Sequence, residues 1–354
     1  MLKLFKPYIS ELSKEMCMAV LNTDQIAEGL VVKNLEDEFS TRFGFNNVLA
    51  LNSGSSALEL AYELAGIREG DEVITPVLTC TATNIPLIRL GAKIVFADID
   101  YDLNINLEDV KKKITDKTKA VVFVHFGGNN RGLRELLRLC RERGIKVIED
   151  AAQAVGSDYY GKSDFTAISL QAIKTLTSGD GGFLITRDDE DYKKAKRLRW
   201  FGYDRELKQK LGDTDLTEAG YKYHMNNISA AIGLGNLRSI EPVLEHRKKI
   251  AEIYKSYGLF ANMWLAGGFT EHYDDGFNSF KKKMSNAGFE IGQHHYRNDK
   301  YTLFKEFKSD CPVMDEIGTK YFFVPFHFGV TEEDAHAIGK MCKMYNADAR
   351  TRKD

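Results

Sequence analysis

Four separated stretches hold residue types that suit one kind of chemistry. In "ISLQAIKTLTSGDGGFLIT", Lys174 lies just past an apolar run, with Ser169 before it and Gly179, Gly181 and Gly182 behind it. A lysine between an apolar strand and glycines is a candidate Schiff-base amine, because burial disfavours the ammonium form and leaves a nucleophile. The commoner fate of such a lysine is to snorkel to the surface. In "VIEDAAQAVG", Glu149 and Asp150 end a strongly apolar run, and Gln153 follows within reach of the same space. Open α/β sheets bind ligands at such strand ends, and a carboxylate there is costly to ionise unless a cation meets it. Asp150 alone reads equally well as a helix cap. "LNSGSSALEL" turns at Gly54 and starts a helix at Ser55 and Ser56. Its free N–H groups, hydroxyls and positive dipole end suit a phosphate, although an ordinary N-cap is the simpler reading of that piece. In "GYKYHMNNISAAIG", Tyr221 and Tyr223 alternate with Lys222 and His224, which by itself describes a solvent-facing basic turn.

Taken together the pieces ask for one ligand with a phosphate, a heteroaromatic cation opposite Asp150 and an aldehyde within reach of Lys174. Pyridoxal 5′-phosphate has all three features, and its ring nitrogen needs a carboxylate to stay protonated. A competing lysine is Lys162. "GSDYYGKSDF" matches the G-x-x-x-x-G-K-[ST] phosphate loop through Gly156, Gly161, Lys162 and Ser163. That loop needs a strand running straight into it and a helix starting at the Lys-Ser pair. Here "IKVIED" ends well before Gly156, and "DFTAISL" after Ser163 reads as a strand, so a turn with an exposed lysine is expected.

The elements that must position these residues alternate from about Asn47 to Thr186. "NVLAL", "DEVIT", "KIVFADI", "KAVVFVHF" and "IKVIED" read as strands, with helical patterns between them ending at Gly66, Gly91 and Gly144. Such alternation predicts an α/β fold with a parallel sheet covered on both faces. After Asp150 the strands "DFTAISL" and "GGFLIT" follow with no full helix between them. "DDEDYKKAKRLRWFG" predicts a surface helix whose basic residues form a solvated face. A helical connector interrupted near Pro242 leads to a small C-terminal α+β region. The expected division is residues 1–236, a large cofactor-binding domain with an N-terminal arm, and 237–354, the connector and small domain.

Bulk properties narrow the function classes. The 354 residues carry 49 basic and 51 acidic groups, so charge gives no case for nucleic acid or an anionic membrane as partner. The five cysteines (17, 80, 140, 311 and 342) contain no C-x-x-C pair. Their odd number argues against a disulfide framework or a zinc site and suits a reducing cytoplasm. No metal site, membrane span or export signal is expected.

The chain resembles the DegT-type sugar aminotransferases, pyridoxal-phosphate enzymes of the aspartate-aminotransferase-like fold type I. The resemblance rests on "NSGSSALELAYELAGIREGDEVITP", "GAKIVFADID", "IKVIEDAAQAVGS", "SLQAIKTLTSGDGG" and "GYKYHMNNISAAIGLGNL", in family order from Asn52 to Leu237. It implies a mostly parallel seven-stranded sheet between helices. It implies that Lys174 bonds the cofactor and shuttles the proton, that Asp150 pairs with the pyridine nitrogen, and that Gln153 lies near the ring's phenolic oxygen. Gly54, Ser55 and Ser169 would hold the phosphate, and Lys222 would reach it from the neighbouring subunit of a homodimer. The implied substrates are an amino-acid donor, glutamate, and a keto sugar linked to a nucleoside diphosphate.

The chain departs from the family pattern at Cys80, where many relatives place an aromatic ring on the cofactor, and at Gly127, where a tyrosine is frequent. The stretch from Tyr257 to Trp264 is shorter than in relatives. "GQHHYRNDKYTLF" resembles a family segment that makes His295, Arg297, Asn298 and Asp299 candidate substrate-side groups, while a polar loop packed by tyrosines accounts for it as well. His327 and His125 are candidates of the same kind, against a structural role in the core or rim. Two rivals are a cofactor-binding regulator or sensor without turnover, and a sugar dehydratase or other lyase. Retention of Lys174 argues against the dehydratase branch, in which histidine replaces that lysine.

Overall fold

A computed structural model describes residues 1–212, 214–270 and 275–351. Seven strands form the main sheet: β1 (Asn47–Leu51), β2 (Glu72–Pro76), β4 (Lys93–Ala97), β5 (Thr118–Val124), β6 (Lys146–Asp150), β7 (Phe165–Ser169) and β8 (Gly182–Thr186). Their spatial order is β1-β8-β7-β6-β5-β2-β4. β8 is antiparallel to both β1 and β7, and the remaining pairs are parallel. The exception has a simple cause. A parallel return needs a long crossover, normally a helix. Residues 170–181 contain none, so the chain comes straight back beside β7.

Alternation along the strands sends side chains to two cores. Leu49 and Leu51 of β1 pack with Ala57, Leu58 and Leu60 of α3 (Gly54–Leu64). Val48 and Ala50 face Leu35 and Phe39 of α2 (Leu30–Phe43). Across β5 and β6, Val121, Phe123 and Val147 meet Leu133, Leu136 and Cys140 of α6 (Leu133–Glu142). The sheet is therefore covered on both faces, as expected of continuously apolar strands.

The N-terminal region holds α2 and also α1 (Glu11–Leu21), which packs on α9 (Asn227–Arg238). The connector is broken as expected, with α9 followed by α10 (Glu241–Ser256) and Pro242 in its first turn. A second, antiparallel sheet of β9 (Phe260–Ala261), β10 (Ala266–Phe269) and β12 (Tyr321–Val324) lies near the C-terminus. Phe322 and Val324 of that sheet pack with Ile250 and Tyr254 of α10, Phe280 and Met284 of α11 (Asp275–Asn286) and Ile338 of α13 (Glu332–Thr351). The first residues join this part of the molecule: Leu2 bridges Phe289, and its amide donates to Gly288 O at 2.6 Å. The short strands β3 (Leu78–Thr79) and β11 (Tyr296–Arg297) pair across the two parts. Among the described residues no helix is long and apolar enough to cross a membrane.

One surface helix departs from its expectation. In α7 (Asp189–Arg199) Lys193 is exposed, Lys194, Lys196 and Arg197 are half-buried and paired with Glu218 or Glu206, and Arg199 is buried. Its guanidinium meets Glu28 at 2.7 Å, Glu36 at 2.9 Å and Ala50 O at 3.0 Å, which compensates its charge away from water. A cavity of about 760 Å³ beside it, lined by Arg199, Trp200, Tyr203 and Arg205 among others, holds none of the candidate site residues.

Candidate active site

Because β1, β2, β5, β6 and β7 run the same way, their carboxyl ends fall on one edge of the sheet. That edge delivers Asn52–Ser55, the Pro76–Cys80 segment, His125–Gly127, Asp150–Gln153 and Ser169–Lys174. Ligands bind at such an edge in open α/β sheets.

β6 ends in two acids, and the pleat turns them to opposite faces. Glu149 is fully buried. It meets His125 Nε2 at 2.7 Å and accepts from the amides of Gly161 (2.9 Å), Lys162 (2.6 Å) and Ser163 (2.8 Å). Burial pushes its carboxyl up, but the His125 hydrogen bond and charge and the Lys162 and Ser163 amides outweigh that and leave it below its ordinary value. The amides that a phosphate loop would offer to a nucleotide hold this internal carboxylate instead. The chain then enters β7 rather than a helix, so Lys162 is an exposed lysine on a turn. His125 is thus part of a buried structural pair.

Asp150 takes the other face. Its Oδ2 accepts from Thr83 Oγ1 at 2.7 Å and its Oδ1 from the Ala152 amide at 3.2 Å. Thr83 belongs to the first turn of α4 (Thr81–Arg89), and its hydroxyl is 2.8 Å from Thr79 Oγ1. Cys80 caps the same helix and is half-buried. Burial and then the charge of Asp150 push its thiol up against a local backbone bond and the opposing charge of Lys174.

Lys174 lies in the loop after β7, and its Nζ stands 4.1 Å from the centroid of the Trp264 ring. Burial pulls its amine down to about 8, against the charges of Asp150 and Cys80. Two histidines share the neighbourhood. His294 is lowered to about 4 by burial and then by Lys174. His295 is lowered well below its ordinary value by burial, His294 and Lys174. His295 also has a positive φ of 62°, a conformation that costs a non-glycine residue energy and is enriched at functional sites.

Gln153 is fixed from two sides. Its Oε1 accepts from the Gly127 amide at 2.6 Å, so its Nε2 donates, and His295 Nε2 lies 3.1 Å away. The start of α3 is capped by Ser53, whose hydroxyl accepts from the Ser56 amide at 3.0 Å. The Gly54 and Ser55 amides are first-turn donors that the helix itself cannot satisfy. A Cβ at Gly54 would lie 2.8 Å from the Ser169 Cβ, and one at Gly182 would lie 2.6 Å from the Ser53 carbonyl. Glycine at both places lets the helix start close against β7 and β8, with Ser169 packed against Gly54.

The Tyr221–His224 segment runs beside this corner. The Asn52 amide donates to Tyr223 O at 2.7 Å, and the Asn52 side chain to Lys222 O at 3.2 Å. Tyr221 and Tyr223 stack at 4.6 Å, and the Lys222 side chain is exposed.

Three candidate substrate-side residues are committed elsewhere. Arg297 pairs with Asp299 at 2.7 Å and also with Asp315. Asn298 is buried, accepts from Asn84 at 2.9 Å and donates to Thr79 O at 2.8 Å, so it clamps β11 to the segment before Cys80. His327 is buried near the N-terminus, with Nε2 3.0 Å from Lys3 O and Nδ1 accepting from the Gly329 amide. Of that group only His295 joins Gln153 and Lys174.

Sequence reasoning missed Thr83, which aims Asp150, and Trp264, which faces Lys174. A hydroxyl in the first turn after a strand end was the available signal for Thr83. Trp264 lies in the short Tyr257–Trp264 stretch noted above. Gly127 gains a reason as well. Its φ is +67°, a Cβ there would meet Leu265 at 3.1 Å, and its carbonyl accepts from the Trp264 amide at 2.8 Å.

Comparison with known proteins identifies the family of the chain. The sequence profile of the DegT/DnrJ/EryC1/StrS aminotransferase family matches residues 7–335. GDP-perosamine synthase of Escherichia coli O157:H7 is 27% identical over 363 residues, covering 97% of this chain and 98% of the relative. The sugar aminotransferase CalS13 from Micromonospora echinospora superposes with a TM-score of 0.90 at 28% identity, over 97% of this chain and 100% of the other. Spr1654 from Streptococcus pneumoniae, a candidate sugar aminotransferase in its PMP form, gives a TM-score of 0.89 at 25% identity, over 98% and 99% of the two chains. The chain belongs to the DegT/DnrJ/EryC1/StrS aminotransferase family.

Proposed function

We propose that the chain is a pyridoxal 5′-phosphate-dependent aminotransferase that moves an amino group from an amino acid, glutamate, to a keto sugar linked to a nucleoside diphosphate. The observation that carries this reading is the meeting of Asp150, Lys174 and the Gly54–Ser169 corner on one sheet edge. The corner suits a phosphate, because the first-turn amides of α3 lack helical partners and Ser169 packs directly against Gly54. Asp150 fits a protonated ring nitrogen, since Thr83 and Ala152 hold its carboxylate in place. When bound, the cofactor supplies an electron sink for the charge left after an α-proton departs.

The chain's own groups do the rest. Gly54, Ser55, Ser169 and the exposed Lys222 of a second copy would hold the phosphate, which makes the working unit a homodimer. Asp150 would keep the ring nitrogen protonated, Gln153 would donate toward the ring oxygen, and Cys80 would lie at the ring face. Lys174, its amine pulled down to about 8, is a base strong enough to remove the donor's α-proton and, once protonated, to return it. His295, adjoining Gln153, stands on the substrate side. The nucleotide-linked substrate is supported by the perosamine synthase relative, whose product name carries GDP. The free cysteines suit a reducing compartment, and the cytoplasm is the proposed location.

The test is amino transfer from glutamate to a panel of nucleotide-linked keto sugars, with the amino sugar detected by mass spectrometry. Transfer by the parent chain and none by Lys174→Ala is expected. Cofactor binding without transfer to any acceptor favours the regulator reading instead.

A further inference from the structure

We infer that Trp264 is a positioning residue for Lys174, its indole face holding the side-chain ammonium whenever that lysine is not joined to a cofactor. The role rests on the aminotransferase reading, in which Lys174 must leave and return. A ring face attracts a cation within about 6 Å of its centroid, and Nζ stands at 4.1 Å.

The plate is rigid while the lysine is not. Trp264 Nε1 donates to Ile173 O at 3.1 Å, so the indole is tied to the residue preceding the lysine it faces. Its amide donates to Gly127 O at 2.8 Å, the same residue whose amide holds Gln153. Phe5, from the N-terminal arm, stacks on the ring at 5.2 Å and 19°, and His294 lies against it at 5.5 Å. The ring is 1% exposed. Four separate parts of the chain thus hold one aromatic surface beside one amine.

The charges around Lys174 divide the space. Asp150 comes from the end of β6 and Cys80 from the cap of α4. His294 and His295 come from the segment after α11, and burial, with the charge of Lys174, disfavours the cationic form of both. Asp150 and the Trp264 ring face both attract the ammonium. The ring face thus gives the free amine a defined resting place.

The chain has two tryptophans, so Trp200→Phe makes Trp264 the sole indole emitter. In the full-length variant freed of cofactor, emission should titrate with a midpoint near 8, and Lys174→Met should abolish the titration. Flat emission, or an equal titration in Lys174→Met, overturns the inference. A second arm follows pyridoxal phosphate capture by absorbance between about pH 6 and pH 10. Losing the plate removes a stabiliser of the ammonium, so Trp264→Leu should lower the midpoint of capture by about one unit, with Trp264→Phe partly restoring it. An unchanged midpoint in Trp264→Leu contradicts the inference. If emission titrates but pyridoxal phosphate is never captured, the aminotransferase reading fails while the plate stands. If capture occurs and emission stays flat, the reverse holds.

Discussion

Thr83 Oγ1 donates to Asp150 Oδ2 across 2.7 Å, so a hydroxyl from the first turn of α4 aims an acid from the end of β6. Thr79 supports that hydroxyl in turn. Thr83→Val keeps the shape and removes the donor. A hydrogen bond to a charged group contributes about 1.5–3 kcal/mol, or roughly a ten- to hundredfold effect. The variant should lose cofactor affinity by that factor in an absorbance titration, with little change in thermal stability. Unchanged affinity would mean that Asp150 holds its place without Thr83.

Glu149 should matter for stability rather than for turnover. Glu149→Ala leaves His125 and the amides of Gly161, Lys162 and Ser163 without their acceptor. Removing one partner of a buried pair costs about 3–5 kcal/mol, which urea unfolding measures directly. The pH dependence has a definite sign. The folded carboxyl lies below its ordinary value of 4.5, so the unfolded state binds the proton more readily. The stabilisation is full above about pH 5 and declines as pH falls through 4.5 toward the folded value. The gap between the parent chain and Glu149→Gln should narrow over that acid range. Lys162→Ala, at an exposed side chain, should change stability by less than about 0.5 kcal/mol.

Gly127 should resist replacement by any residue with a side chain. Its positive φ costs an ordinary residue about 1–2 kcal/mol, and Leu265 closes the space for a Cβ. Gly127→Ala should be destabilised by at least that amount in urea. It should also weaken cofactor binding, because the Gly127 amide holds Gln153. A neutral substitution would show that this loop adjusts without cost.

Much of the site was readable because it stands where the sequence announces it. Gly54, Asp150, Ser169 and Lys174 fall at or just after strand ends, flanked by glycines or helix starts, and short apolar runs mark those strands. Antiparallel β8 was legible only as a missing helix between residues 170 and 181. Trp264 and Phe5 were not legible as site residues, since an aromatic in an apolar stretch looks like core until folding brings it to Lys174. The "HHYRND" segment shows a further limit. The turn at His295 sends its ring to Gln153, while Arg297 and Asn298 find acids and backbone carbonyls. Neighbours in sequence thus take separate roles that spacing alone does not reveal. Arg199 shows the converse, a basic residue on a charged helix drawn inward by Glu28 and Glu36.

The most direct measurement treats the full-length chain with pyridoxal phosphate, fixes any cofactor–lysine bond with borohydride, and locates the added mass by peptide mass spectrometry. The account predicts the adduct on the peptide containing Lys174, and its disappearance in Lys174→Ala. An adduct on Lys162 or another lysine, or none at all, would contradict it.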